Sequence, residues 1–290
     1  MLEINELTKR YGRKNALNNC SFSLKPYEIV GVLGRNGCGK STLFKSIMGL
    51  IQVTNGDLRY EGKTIDETQR HRFGYMPEQR SLLQDLSLDE HLRWVGKLKK
   101  MNEGYVEDRI HALTEQFDLS DKLTQAIRTL SKGQQQKAQL MIALLNDPTV
   151  LILDEPLNGL DMESVAFFTR QLKLLASKGK LILISSHQME FMDELCTSFI
   201  VLQEGSVIKA GRLDQFKTES SVVVKLNSSC DWSQVRRLSP DVKDLGAMIQ
   251  FSFTSIEDAS KLLSKTKSIP NLHTLRLEST SIVDVLLDHA

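Results

Sequence analysis

No stretch of the chain approaches the roughly 18 consecutive apolar residues that a membrane-spanning helix needs; the apolar runs are short pieces such as 150–153 and 181–184. The chain is therefore not expected to cross a bilayer by itself. Its first residues, MLEINELTKRYG, lack the apolar centre of a secretory signal. Cysteine is scarce: Cys20, Cys38, Cys196 and Cys230 show no C-x-x-C or metal-ligand spacing, so they are expected to be free thiols in a reducing cytoplasm. Six prolines and 17 glycines in 290 residues set aside collagen-like and Pro/Gly-rich disordered chains. Charge of one sign is also missing, because 37 Lys and Arg face 36 Asp and Glu. No bulk field recruits nucleic acid or anionic lipid, which leaves only a local basic patch for such a role.

What remains is an ordinary globular composition, 41% hydrophobic and 25% charged. The length suits one large domain, or one of roughly 200 residues with a small companion. Four runs, 29–33, 150–153, 181–184 and 199–202, are almost wholly apolar and lack period-two alternation, so they read as strands covered on both faces. Helical patterns lie between them: Leu43, Phe44, Ile47 and Met48 end at Gly49, and Ala138, Met141, Ile142 and Leu145 end before Pro148. Such alternation predicts a mostly parallel sheet in an α/β fold. Ser87 and Glu90 have the S-x-x-E spacing of a capping box, with Leu88, Leu92 and Val95 following at helical intervals, and a mostly helical insert is expected over about 85–136. After Phe216 the texture changes to short strand patterns at 222–226, 248–253 and 272–277 and helical ones at 256–263 and 282–287. A domain boundary is expected near 216.

Gly34-Arg35-Asn36-Gly37-Cys38-Gly39-Lys40-Ser41, followed by Thr42, fits G-x-x-x-x-G-K-[ST] and lies between an apolar strand and a helix start. Glycines let successive backbone N–H groups wrap phosphates, and the helix N-terminus adds partial positive charge. Lys40 should reach the β and γ phosphates of a nucleotide, and Ser41 should coordinate Mg²⁺. A second apolar strand ends in Asp154-Glu155-Pro156, which puts two carboxylates at the sheet edge where ligands of open parallel sheets bind. Asp154 would hold Mg²⁺ through water, and Glu155 could take a proton from a water attacking the γ-phosphate. A third strand exits through Ser185 and Ser186 into His187, at the same edge. Cys38, among backbone N–H groups and beside Lys40, is expected to carry a reactive thiol that nucleotide would shield; the alternative is a side chain turned into the sheet.

Between the P-loop and the Asp-Glu pair lies Leu130-Ser131-Lys132-Gly133-Gln134. It resembles the LSGGQ signature of ATP-binding cassette (ABC) ATPases, with Lys132 where the commonest form has Gly. The resemblance covers about 1–215. It implies a P-loop NTPase ABC cassette at 1–215 with a helical subdomain, followed by a small C-terminal α/β accessory domain at 216–290. It further implies that Tyr11 stacks on adenine, that Leu157 to Asp161 form the D-loop, and that His187 senses the γ-phosphate. By the same resemblance Ser131 and Gly133 face the γ-phosphate of a second cassette, and Gln134 belongs to the nucleotide-binding set with them. Gly74-Tyr75-Met76-Pro77-Glu78-Gln79 occupies the Q-loop, and either Glu78 or Gln79 would serve as its polar residue.

Because two cassettes of this family pack head to tail, the resemblance implies a homodimer, or a heterodimer with a paralogue, bound to a transmembrane permease. The chain would then sit on the inner face of the cell membrane. The closing segment at 280–287 is similar to the terminal segment of ABC-2-type exporter cassettes, which implies export. A mechanical ABC ATPase acting on nucleic acid or ribosomes is disfavoured by neutral charge and by the lack of sustained heptads between Lys40 and Ser131. A regulatory module without turnover would be expected to have lost Lys40 or Glu155. A simple P-loop kinase would leave the signature, D-loop and His187 unexplained.

Overall fold

The computed structural model describes residues 1–79 and 81–216 and four later strands, 222–228, 242–244, 248–253 and 272–279. The helical patterns at 256–263 and 282–287, the segment 280–287 and Cys230 lie outside the described residues. Contacts divide the chain into two compact units, Met1–Gly211 and Arg212–His289.

The first unit opens with a hairpin, β1 (Leu2–Tyr11) and β2 (Lys14–Leu24), then β3 (Ile29–Leu33), α1 (Lys40–Ile47), β4 (Asn55–Tyr60) and β5 (Lys63–Thr64). The hairpin has no clean alternation in the sequence because it is bulged. Register slips between Ile4 and Leu7, where Glu6 takes a positive φ of 50°, so the buried set runs Leu2, Ile4, Leu7 rather than every second residue. A short α2 (Glu67–Arg70) leads to β6 (Phe73–Met76). The helical insert follows as α3 (Leu88–Leu98) and α4 (Glu103–Phe117), and α5 (Lys132–Leu144) returns to the sheet. Ser87 caps α3 as its spacing predicts: Ser87 Oγ accepts from the Glu90 N–H at 3.2 Å and Glu90 Oε2 accepts from the Ser87 N–H at 2.8 Å.

The unit closes with β7 (Val150–Asp154), α6 (Met162–Ser177), β8 (Leu181–Ser185), α7 (Met189–Leu195), β9 (Ser198–Gln203) and β10 (Ser206–Arg212). The order β10-β9-β3-β8-β7-β6 makes one six-stranded sheet, with β9, β3, β8, β7 and β6 parallel. All four runs read from the sequence as doubly covered strands lie in it. Strands β2, β1, β4 and β5 form a separate antiparallel sheet. Between the two sheets lies α1, whose Leu43, Phe44 and Ile47 are fully buried with Leu2 and Ile4 from one sheet and Val30 and Ile152 from the other. Burial of each such side chain is worth about 1.5–3 kcal/mol, so the helix that begins at Lys40 is clamped from both faces.

The second unit contains α8 (Leu213–Phe216), β11 (Val222–Ser228), β12 (Val242–Asp244), β13 (Met248–Phe253) and β14 (Leu272–Ser279). Its strands pair antiparallel in the order β12-β13-β11-β14.

Candidate functional site

Parallel strands deliver their C-terminal ends to one edge, and there β3, β7 and β8 release Gly34, Asp154 and Ser185. The loop after β3 turns tightly, with the Cys38 N–H donating to the Arg35 carbonyl at 3.2 Å. Two glycines make it possible. Gly34 has φ 146° and any Cβ there would strike the Leu202 carbonyl, while Gly39 has φ 119° and lies against the Ala16 carbonyl. Helix α1 starts at once, with no acidic residue in its first turn, so its free N–H groups present positive potential to the loop. The Lys40 ammonium spans the loop, donating to the Gly34 carbonyl at 2.6 Å and the Arg35 carbonyl at 3.4 Å.

A cavity of about 650 Å³ opens over this loop. Asn36, Gly37, Gly39, Lys40, Ser41 and Thr42 form its floor; Glu78, Asp154, Glu155 and His187 form one wall, with Tyr11 on its lining as well. Tyr11 is about half exposed, with the Lys9 ammonium 4.8 Å from its ring centre. Asn158, from the expected D-loop, also lines the cavity, as do Lys14 and Ala16, which no sequence motif marks. Lys14 pairs directly across from Tyr11 in the hairpin register, a placement visible only once the turn at Gly12 and Arg13 is known.

The carboxylates are held differently. Asp154 is buried and accepts from Ser185 Oγ at 2.7 Å. Glu155, also buried, has the positive φ of 51° that non-glycine residues seldom adopt. Its N–H donates to Ser185, its Oε2 accepts from the His187 N–H at 3.2 Å, and its Oε1 lies 3.1 Å from His187 Nε2. Burial raises the Glu155 carboxyl above its ordinary range, against the opposing pull of His187 and Lys40; the charge of Asp154 raises it further. Burial likewise raises the Tyr75 phenol, helped by the negative charges of Asp154 and Glu78.

Among the described residues no cluster of three or more His, Cys, Asp or Glu could cage a metal. Ser41 and Asp154 nevertheless place a hydroxyl and a buried carboxylate on one cavity. Two hard oxygen donors beside a phosphate pocket suit Mg²⁺, which keeps several waters and takes its other ligands from phosphate.

Gly34, Arg35 and Cys38 are not among the residues that line the cavity, and Gln79 is exposed outside it. The expected reactive thiol is corrected: Cys38 is buried within the core cluster, its Sγ packed against Gly34. The loop's turn sends the Cys38 side chain inward while its carbonyl accepts from the Gly205 N–H at 2.9 Å. The signature residues also stand away from the cavity. Ser131 and Gln134 close a capping box on α5, Gly133 packs against Ser164 of α6, and Asp161 caps α6 by accepting from the Ser164 N–H at 2.8 Å.

Comparison with known proteins agrees with this geometry. The model of the ABC transporter family matches residues 17–158, from β2 through the Asp-Glu pair. The ABC transporter ATP-binding protein YhaQ of Bacillus subtilis is 28% identical over 291 residues, 99% of this chain and 98% of its own. The Nod factor export ATP-binding protein I of Burkholderia orbicola is 34% identical over 213 residues, 72% of this chain and 70% of its own. A solved ATP binding subunit of an ABC transporter superposes with TM-score 0.69 at 32% identity, covering 76% of this chain and 92% of the other. A family match that takes in the Gly34–Ser41 loop and the Asp154-Glu155 pair, with a relative 34% identical over 72% of the chain, gives one placement: the chain belongs to the ABC transporter ATP-binding proteins and carries their ATPase cassette.

Proposed function

We propose that the chain is the ATP-hydrolysing subunit of an exporter, closing on ATP with a second cassette to drive a separate transmembrane permease. The observation that carries this reading is the convergence of Lys40, Ser41, Asp154, Glu155 and His187 on one cavity. Lys40 and the first turn of α1 bind the β and γ phosphates, and Tyr11 offers a face for adenine. Ser41 and Asp154 hold Mg²⁺, which when bound offsets phosphate charge. Glu155 accepts the proton of the attacking water; its raised carboxyl makes it a better base than an ordinary carboxylate, and His187 holds it in place through two contacts. Glu78, by its place in the cavity wall, is the polar residue of the Q-loop in preference to Gln79.

The displaced signature supports a composite site. Ser131 and Gly133 lie off this chain's cavity, so they serve the nucleotide of a second cassette, and ATP sandwiched between the two favours the closed dimer until hydrolysis. Among the described residues no helix is long and apolar enough to cross a membrane, so a separate permease would provide the path. Leu83, Trp94, Leu98 and Tyr105 are exposed around the helical insert and suit a permease docking face. Export is favoured by the likeness to the Nod factor export protein.

The test is purification of the tagged chain from detergent-solubilised membranes with MgATP. A stoichiometric multi-span membrane protein is expected. Recovery only from the soluble fraction, with ribosomes or nucleic acid attached, would replace this reading with the mechanical ATPase.

A further inference from the structure

Helix α5 does more than carry Ser131 at its start. Gln136 and Gln139, three residues apart on one helix face, are 5% and 3% exposed. The Gln136 amide donates to the Pro156 carbonyl at 2.7 Å, and the Gln139 amide donates to the Pro77 carbonyl at 2.7 Å. A carbonyl can only accept, which sets the orientation of both amides. Pro156 immediately follows Glu155 and Pro77 immediately precedes Glu78, the two glutamates of the cavity wall. One helix therefore grips the backbone beside each of them.

Gln139 is a poor choice for packing alone. Its Oε1 is buried with no hydrogen-bond partner among the described residues, a cost that an apolar side chain of the same shape would avoid. Its Nε2 contact with Pro77 is what that cost supports.

We infer that Gln139, with Gln136 beside it, is a positioning residue: a strut through which the orientation of the helix carrying Ser131 sets where Glu78 and Glu155 stand in the cavity. The inference rests on the reading above that these glutamates act on ATP. A tilt of α5 as Ser131 meets a partner's nucleotide is transmitted through two buried amides to the chain's own cavity wall.

Gln139→Met keeps length and burial but removes the donor. Hydrogen exchange in the segment from Glu78 to Gln84 should rise while that of the Gly34–Lys40 loop stays unchanged. For MgATP hydrolysis, kcat should fall by about five- to thirty-fold, the size of one lost buried hydrogen bond, with KM within about two-fold of wild type. Should the Met variant fail to fold, Gln139→Asn, one methylene too short to reach Pro77, should show the same pattern. Unchanged exchange at Glu78 to Gln84, or a raised KM with kcat intact, would overturn the strut. A wild-type chain that does not hydrolyse MgATP would count against the ATPase reading instead, and the exchange measurement would still decide the strut.

Discussion

Changing Glu155 to Gln isolates one chemical property of the cavity. The amide oxygen can keep the bond now accepted from the His187 N–H at 3.2 Å, and the amide nitrogen can face His187 Nε2, now 3.1 Å from Oε1. Lys40, Ser41 and Asp154 are untouched, so nucleotide binding should persist. On the proposed role of Glu155, what disappears is the proton acceptor. Loss of a general base lowers turnover by about 10²–10⁴, equivalent to about 3–5 kcal/mol in the barrier. Steady-state phosphate release gives the rate, and size exclusion with MgATP should show the variant held as a dimer while ATP remains uncleaved. Hydrolysis within about three-fold of wild type, or a chain that stays monomeric with MgATP, would refute the assignment of Glu155 as base.

Glu155 also predicts an opposite effect on stability. Because burial raises its carboxyl, the folded chain retains a proton that the unfolded chain has already released, so stability falls as pH rises through that window and the penalty persists above it. Thermal melts should show Glu155→Gln more stable than wild type near neutral pH, with the gap closing toward about pH 4; a gap independent of pH would contradict this. Mixing a Lys40→Ala chain with a Ser131→Arg chain should restore up to about a quarter of wild-type ATPase, since half of randomly paired dimers contain one intact composite site of two. No recovery would argue against head-to-tail pairing. A variant whose sole cysteine is Cys38 should resist maleimide when native and react when denatured, because its thiol is packed in the core; mass spectrometry of the modified chain reads this directly. Lys14→Met should raise the KM for ATP several-fold with little change in kcat, as expected for a contact made equally in ground and transition states; an unchanged KM would remove Lys14 from the nucleotide site.

The residues that act through contiguous chain were legible in the sequence. Gly34 to Ser41 form a tight turn into a helix start, the shape a phosphate loop requires, because that shape needs only local glycines, and Ser87 with Glu90 caps α3 through bonds spanning three residues. The apolar runs of β3, β7, β8 and β9 announced a doubly covered parallel sheet because every side chain of such a strand meets a layer. Tertiary structure decided the rest. The β1–β2 hairpin hid from pattern reading because its bulges break the two-residue period. Cys38 turns inward, Glu78 rather than Gln79 enters the cavity, and Lys14 stands opposite Tyr11, each by backbone geometry that composition does not encode. The bonds from Gln136 to Pro156 and from Gln139 to Pro77 join residues 20 and 62 positions apart. Contacts at such separation exist only after the helix has packed on the sheet, so no local spacing could have announced them.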